Sequence, residues 1–280
     1  MSTDSVASAV RKVVDALDWT IPEYSGCTLG GSRAYDLADD ESDVEMYFYS
    51  LAEPPTLDQV STSLRGIGAV NRRSNSFLWD EFPWGTHSFF VVDGIYFEVG
   101  YRNVYRVGAR LLSYLDGGVQ TERDFHDLGL GYMPSGLAAS VQSEKIIASL
   151  DDEIVKLKRM TESFPDHLHQ AIRSEYLDTA RNLMRGKLAV AAKRGDRFFY
   201  DAVVARVVRS MMVTAFAASG SHFPGDKWNE ILLLRTGWKN ADNFLTALRR
   251  HSALSSDNPR QFMERYALLE KALGMLDAGE

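Results

Sequence analysis

The sequence Leu29-Gly30-Gly31-Ser32-Arg33 is followed, after a polar connection, by Ser42-Asp43-Val44-Glu45-Met46-Tyr47-Phe48-Tyr49. The second segment is rich in aromatic and apolar residues, which is typical of a β-strand. Alternate side chains of a strand share a face, so Asp43 and Glu45 point the same way with their α-carbons about 7 Å apart. Two carboxylates at that spacing can bind one or two divalent cations.

The glycine stretch before this strand predicts a site for an anion. Gly30, Gly31 and Ser32 have little or no side chain, so their backbone amides can approach phosphate oxygens closely. We expect Ser32 to begin a short helix through Leu37, with its first N–H groups free to bind such oxygens. Arg33 either neutralises phosphate there or is an ordinary surface arginine.

A third acid follows on a later strand. Asp93-Gly94 lies between two apolar runs and predicts a two-residue hairpin turn. On the strand after that turn, Glu98 stands between Phe97 and Val99. Burying a carboxylate in an apolar strand is costly without a partner, so binding a metal or accepting a proton would explain Glu98.

The order of these residues resembles a known signature. Gly31-Ser32, a spacer, and then Asp43-Val44-Glu45-Met46 resemble the polymerase-beta-like nucleotidyltransferases. Within that superfamily, the sequence resembles the antibiotic nucleotidyltransferases of the kanamycin and lincosamide type and related uncharacterised bacterial proteins. The resemblance covers about the first 115 residues well and the remainder more loosely.

The resemblance implies a reaction and a role for each residue. Asp43 and Glu45 would bind Mg²⁺, and Gly31 and Ser32 would hold the phosphates of ATP. Glu98 would either complete a second metal site or accept the proton of the acceptor hydroxyl. The product would be AMP joined to a hydroxyl of a small molecule, such as an aminoglycoside or lincosamide antibiotic, together with pyrophosphate.

The same resemblance and the helical periodicity of the second half predict an α+β protein with two domains. Residues 1–150 would form a nucleotidyltransferase domain, a mixed β-sheet with flanking helices. Residues 151–280 would form an all-α bundle that supplies acceptor specificity. Leu150-Asp151, followed by a lysine-bearing segment and by Pro165, is similar to the passage between domains in the antibiotic enzymes.

The periodicity and the turn residues also predict individual elements. We expect helices over 3–17, 56–66 and 104–115, a strand over 24–29, and one strongly helical stretch over 149–163. Further helices are expected over 166–185, 196–218, 227–234, 240–249 and 259–276. The aromatic segment near residues 77–84 is expected to be rich in turns.

A possible cation of the site lies in the second half. His222-Phe-Pro-Gly-Asp-Lys-Trp228 places a rigid turn before a helix and presents Lys227 beside Trp228. The stretch is similar to one in the helical domains of related transferases. Lys227 either reaches nucleotide phosphate or the acceptor, or makes a salt bridge at the helix start.

Composition limits the classes of function. The chain has 280 residues, 45% of them hydrophobic and 25% charged, which is typical of a globular protein long enough for two domains. A net charge of −7 argues against broad nucleic-acid binding. Neither a membrane-spanning run nor the pattern of a secretion signal is present, so we expect a cytoplasmic monomer or homodimer without nucleic-acid or membrane partners.

Other functions remain open at this point. The alternatives are a non-catalytic nucleotidyltransferase-like protein that binds a nucleotide or a partner, in the manner of an antitoxin, and a transferase acting on a protein hydroxyl. The presence of all three acids favours an enzyme, because a pure binder does not need them. Net acidity and the lack of a basic stripe argue against action on RNA ends.

Overall fold

The computed structural model describes residues 3–70, 78–82, 85–121, 132–254 and 259–277. By their internal contacts, the residues form two compact units. The first consists of Met1–Leu112 and Ser140–Ser163, and the second of Ser113–Ala139 and Phe164–Glu280. These units are defined by their internal contacts and not by independent folding. The domain boundary expected near residue 150 therefore stays a prediction.

The first unit is built on a β-sheet. Its strands are β1 (Tyr24–Leu29), β2 (Val44–Ser50), β3 (Leu78–Phe82), β4 (Gly85–Val92), β5 (Ile95–Asn103) and β6 (Lys145–Ser149). Their order across the sheet is β3-β4-β5-β2-β1-β6. The central strands β2 and β5 run parallel, and the other neighbours run antiparallel, so the sheet is mixed.

Helices accompany this sheet along the chain. They are α1 (Thr3–Leu17), α2 (Gly31–Ala34), α3 (Leu57–Gly66), α4 (Val104–Leu115), α5 (Pro134–Ser143) and α6 (Glu153–Met160). The start of α3 is a capping box: the Gln59 side chain accepts from the Thr56 N–H at 2.8 Å, and the Thr56 hydroxyl accepts from the Gln59 N–H. The mixed sheet with flanking helices agrees with the expected α+β class.

One face of the sheet is the apolar core. Val44, Met46 and Phe48 alternate along β2 and are fully buried, together with residues of α1 and α3. Period-two alternation therefore leaves the opposite face of β2 to Glu45, Tyr47 and Tyr49. The strand predicted from the sequence thus separates a dry face from a polar one.

The predicted hairpin is confirmed, while two other expectations need correction. Asp93 and Gly94 both have positive φ, +51° and +80°, as a tight turn of the primed type requires. The segment expected to be rich in turns contains β3, which pairs with β4. The helix expected over 149–163 is shorter, because residues 145–149 pair with β1 and the Leu150 N–H donates to the Ser25 carbonyl.

The described residues of the second unit are mostly helical. After α5 and α6, the helices are α7 (Asp166–Ile172), α8 (Asp178–Leu183), α9 (Ala189–Arg194), α10 (Arg197–Ala218), α11 (Asn229–Arg235), α12 (Ala241–Ala253) and α13 (Pro259–Asp277). The π-helical segment Arg173–Leu177 joins α7 to α8, and a second one, Met184–Leu188, joins α8 to α9. Among the described residues, no helix combines the length and apolar character needed to span a membrane.

Candidate active site

Two of the predicted acids are direct neighbours across the centre of the sheet. In the parallel pairing of β2 with β5, the α-carbon of Glu45 lies opposite that of Glu98. Asp43 immediately precedes β2, two residues before Glu45. Both glutamates are partly buried, with 29% of the Glu98 side chain exposed. The strand pairing therefore brings together acids that are 53 positions apart in the sequence.

The surroundings of Glu45 disfavour its ionisation. Burial, and next the charge of Glu98, raise the pKa of Glu45 from 4.5 to about 7. The charge of Asp43 adds to the rise, and the hydrogen bond from Tyr47 opposes it. A cation bound among the three acids would stabilise the ionised form of Glu45.

The glycine turn packs directly against β2. Gly31 has φ +56°, and a β-carbon there would collide with Oε2 of Glu45. A β-carbon at Gly30 would lie 2.5 Å from a ring carbon of Tyr47. Only glycine fits at these two positions, because the side chains of Glu45 and Tyr47 occupy the space of a β-carbon. At position 31 the left-handed backbone conformation also favours glycine. The phosphate-binding role expected for Gly31 and Ser32, at the start of α2, stays a prediction.

Arg33 is hydrogen-bonded to the backbone that leads into β2. Its Nε donates to the Asp43 carbonyl at 3.0 Å and its Nη2 to the Ser42 carbonyl at 3.1 Å. The guanidinium thus fixes the backbone position from which the Asp43 side chain projects. Its expected contact with phosphate stays a prediction.

Glu98 has a histidine partner that the sequence did not reveal. Nδ1 of His87 lies 3.1 Å from Oε1 of Glu98, and only 8% of the histidine side chain is exposed. When this carboxylate is ionised it only accepts hydrogen bonds, and Nδ1 of His87 is then the donor. His87 lies on β4, opposite Gly100 of β5.

A buried polar network lies further along the same face. Arg102 and Glu144 form an ion pair at 2.6 Å, with 3% and 1% of their side chains exposed. The carboxylate of Glu144 also accepts from the hydroxyls of Thr28 and Tyr49, each at 2.7 Å. Burial alone would raise the pKa of Glu144, but Arg102 and these hydrogen bonds lower it, so the pair is ionised.

The residues fit Mg²⁺ by the kind of donor atom that they offer. Carboxylate oxygens are the ligands that this ion prefers. Among the described contacts, Oε1 of Glu45 accepts from Tyr47 and Oε1 of Glu98 pairs with His87, so Oε2 of each glutamate lies outside these two hydrogen bonds. Within the described ranges, however, no group of three or more His, Cys, Asp or Glu side chains is close enough to hold a metal ion. The expected roles of Asp43, Glu45 and Glu98 as metal ligands stay predictions.

Lys227 belongs to the second unit. It is exposed and lies two residues before α11, beside Trp228, whose φ is +60°. The neighbouring Asp226 forms an ion pair with Arg209 at 2.9 Å. The contact of Lys227 with nucleotide or acceptor stays a prediction.

Sequence reasoning did not identify Tyr47, His87, Arg102 and Glu144 as residues of this face. For Tyr47 a signal was present, since it stands two positions after Glu45 on the same strand and face. Arg102 carried a similar signal, since it stands four positions after Glu98 on β5. His87 lies on β4 and Glu144 just before β6, and only the tertiary structure brings His87 to Glu98 and Glu144 to Arg102.

Comparison with known proteins gives the following similarities. Residues 132–229 match a family described as "Domain of unknown function (DUF4037)", which is less than half of the chain. No curated protein matches the sequence significantly. A nucleotidyltransferase-like protein from Exiguobacterium sibiricum is similar in structure, with 12% identity and a TM-score of 0.46, over 96% of this chain and 75% of that one.

Two further solved structures are similar at lower TM-scores. Spectinomycin adenyltransferase AAD(9) from Enterococcus faecialis, solved with ATP and spectinomycin, has 12% identity and a TM-score of 0.32, over 98% of this chain and 100% of that one. The CdnE cyclic dinucleotide synthase of Elizabethkingia meningoseptica, solved with GTP and Apcpp, has 13% identity and a TM-score of 0.27, over 96% and 91%. These neighbours are nucleotidyltransferase-like proteins, but TM-scores below 0.5 leave the activity of this chain to be judged from its own residues.

Proposed function

We propose that this chain is a Mg²⁺-dependent nucleotidyltransferase that transfers AMP from ATP to a hydroxyl of a small molecule, such as an aminoglycoside or lincosamide antibiotic. The observation that carries the proposal is the pairing of Glu45 with Glu98 on adjacent parallel strands. Asp43 stands two residues before Glu45, and Gly31 packs against its carboxylate. An acidic chain of net charge −7 suits a cytoplasmic enzyme, monomer or homodimer, that does not act on nucleic acid.

The chemistry of a triphosphate explains why acids would be gathered here. ATP carries several negative charges, so attack at its α-phosphorus requires divalent cations. When bound, Mg²⁺ would neutralise phosphate oxygens and align the nucleophile with the leaving group. Asp43, Glu45 and Glu98 would hold it, and the raised pKa of Glu45 is consistent with an anionic site that lacks its counter-charge.

In the proposed step, the acceptor hydroxyl oxygen forms a bond to the α-phosphorus of ATP. The bond from that phosphorus to the α,β-bridging oxygen breaks, and its electron pair leaves with pyrophosphate. Glu98 either accepts the hydroxyl proton, with His87 holding its other oxygen, or serves as a metal ligand only. Glu98→Gln separates the two roles: a lost base slows transfer at unchanged metal affinity, whereas a lost ligand weakens metal binding as well.

The first test is calorimetric titration of each nucleoside triphosphate with MgCl₂ into the wild type and into Asp43→Ala/Glu45→Ala. We expect Mg²⁺-dependent binding of ATP that is lost in this variant. Asp40→Ala/Glu41→Ala is the matched control, because it removes two exposed acids from the connection before β2 and changes the net charge equally. Binding in the wild type would then justify an acceptor screen by pyrophosphate release.

A second candidate function is binding without catalysis. Glu45 and Glu98 are each hydrogen-bonded to a neighbouring side chain, and no metal cluster is preformed among the described residues. These contacts suit a protein that binds a nucleotide or a partner without magnesium. Binding of ATP that is equal with MgCl₂ and with EDTA would support this function and contradict the proposed transferase.

A further inference from the structure

The side chain of Tyr47 is fixed in a slot beside Glu45. Its hydroxyl donates to Oε1 of Glu45, and only 4% of the residue is exposed. Glycines form both edges of the slot: a β-carbon at Gly30 or at Gly100 would lie 2.5 Å or 2.7 Å from the ring. Both glycines are therefore needed for the ring to occupy this place.

A buried cation fixes the face of the same ring. The guanidinium carbon of Arg102 lies 3.3 Å from the ring centroid of Tyr47. Arg102 is held by the carboxylate of Glu144 at 2.6 Å and by the hydroxyl of Tyr49 at 2.8 Å. A cation over an aromatic face is attractive, and more so when both groups are desolvated. The orientation of the Tyr47 hydroxyl is thus set by contacts that do not involve Glu45.

His87 holds Glu98 in a corresponding way. Its ring also packs above Gly100, where a β-carbon would lie 2.9 Å from Nε2, and its Nδ1 bonds Oε1 of Glu98. The rings of Tyr47 and His87 approach edge to face, with centroids 6.1 Å apart. One glycine therefore makes room for two buried rings, each hydrogen-bonded to a different carboxylate.

On the basis of the function proposed above, with Glu98 as a metal ligand, we propose that Tyr47 and His87 are positioning residues for the metal-binding carboxylates. Each holds Oε1 of its glutamate, so that Oε2 of Glu45 and of Glu98 is presented to the cation and the triphosphate. Groups that orient metal ligands in this way commonly contribute about 10- to 100-fold to metal affinity. Arg102 forms neither of these two hydrogen bonds and supports the first of them by packing on the ring of Tyr47.

The test measures metal binding rather than turnover. MnCl₂ is titrated into each protein without nucleotide, and free Mn²⁺ is followed by electron paramagnetic resonance. Tyr47→Phe removes the hydroxyl bonded to Glu45, and we expect it to weaken Mn²⁺ binding at least 10-fold. Tyr101→Phe is the matched control, since it removes a buried hydroxyl that bonds Ser88 on the opposite, core face of β5, and we expect a change within twofold.

Variants of His87 test the inference independently of Tyr47. We expect His87→Leu to weaken Mn²⁺ binding at least 10-fold, because the donor to Glu98 is lost. His87→Asn keeps an amide N–H near the position of Nδ1, so it should restore most of the affinity. Thermal unfolding of every variant verifies that each is folded, and the His87 pair carries the test by itself if Tyr47→Phe does not fold.

Each alternative result has a definite meaning. Equal Mn²⁺ affinity in the wild type, Tyr47→Phe and His87→Leu would overturn the positioning roles and leave the proposed transferase intact. Equal weakening by Tyr101→Phe would show that buried hydroxyls of this sheet merely support the fold, and would also overturn the inference. Failure of the wild type to bind Mn²⁺, alone or with ATP, would overturn both the proposed function and the inference.

Discussion

The raised pKa of Glu45 makes a quantitative prediction about the stability of the metal-free protein. Its pKa is about 7 in the folded chain and 4.5 without the fold. Below pH 4.5 the carboxyl is protonated in both states, so it contributes no difference. As the pH rises through 7, the folded state must hold a charge that the unfolded state holds more easily, and the free energy of unfolding falls.

The size of this effect follows from the two pKa values. One pKa unit corresponds to about 1.4 kcal/mol, so the penalty at pH 8 amounts to about 3 kcal/mol. Since Glu45 is partly exposed, solvent screening makes this an upper value. Glu45→Gln removes the charge and retains an oxygen that accepts from Tyr47. We therefore expect the variant to be more stable than the wild type at pH 8 and nearly equal to it at pH 4.5.

The assay is calorimetric unfolding of both proteins at the two pH values without metal. A gain of 1 kcal/mol shifts the midpoint by about 2–4 °C in a protein of this size class, so a rise of several degrees is expected at pH 8. Added MgCl₂ should raise the midpoint of the wild type and not that of Glu45→Gln. Glu53→Gln, an exposed glutamate paired with Arg106, is the control. A variant no more stable at pH 8, or equally stabilised at both pH values, would refute the reasoning.

Three further predictions concern the packing around the site. Gly100→Ala places a β-carbon 2.7 Å from the Tyr47 ring, so we expect a loss of about 1–3 kcal/mol in urea unfolding and weaker Mn²⁺ binding. Arg102→Met leaves Glu144 buried without its counter-charge and should cost about 3–5 kcal/mol, whereas Arg102→Met/Glu144→Met should recover much of that loss in the same assay. The Lys158 ammonium donates to three carbonyls at the end of α5, so Lys158→Met should lower the unfolding midpoint, a loss of about 1–3 kcal/mol.

For each of these three predictions, one result would contradict the reasoning. Unchanged stability and metal affinity in the glycine variant would show that the two rings can move away at little cost. A double variant as unstable as the single one would mean that the ion pair is not the reason for the loss. An unchanged midpoint for the lysine variant would mean that water replaces its hydrogen bonds at the helix end.

Features that depend on neighbouring residues were predictable from the sequence. The capping box at Thr56 and Gln59 and the turn at Asp93-Gly94 follow from side-chain and backbone preferences that act over four residues. The alternation of β2 likewise assigned Glu45 to the face opposite the core. Residues 145–149 were not recognised as a strand, because their extended form depends on pairing with β1, which no local pattern records.

The sequence by itself therefore determined which acids this protein has and which face of its strand each one occupies, because strand periodicity is a local property. Only the tertiary structure decided that Glu45 lies beside Glu98, since the register of two parallel strands is set by non-local packing. It also decided that Gly30 and Gly100 border one tyrosine ring. Such a slot exists only when three strands or turns distant in sequence come together, and no local pattern can encode that arrangement.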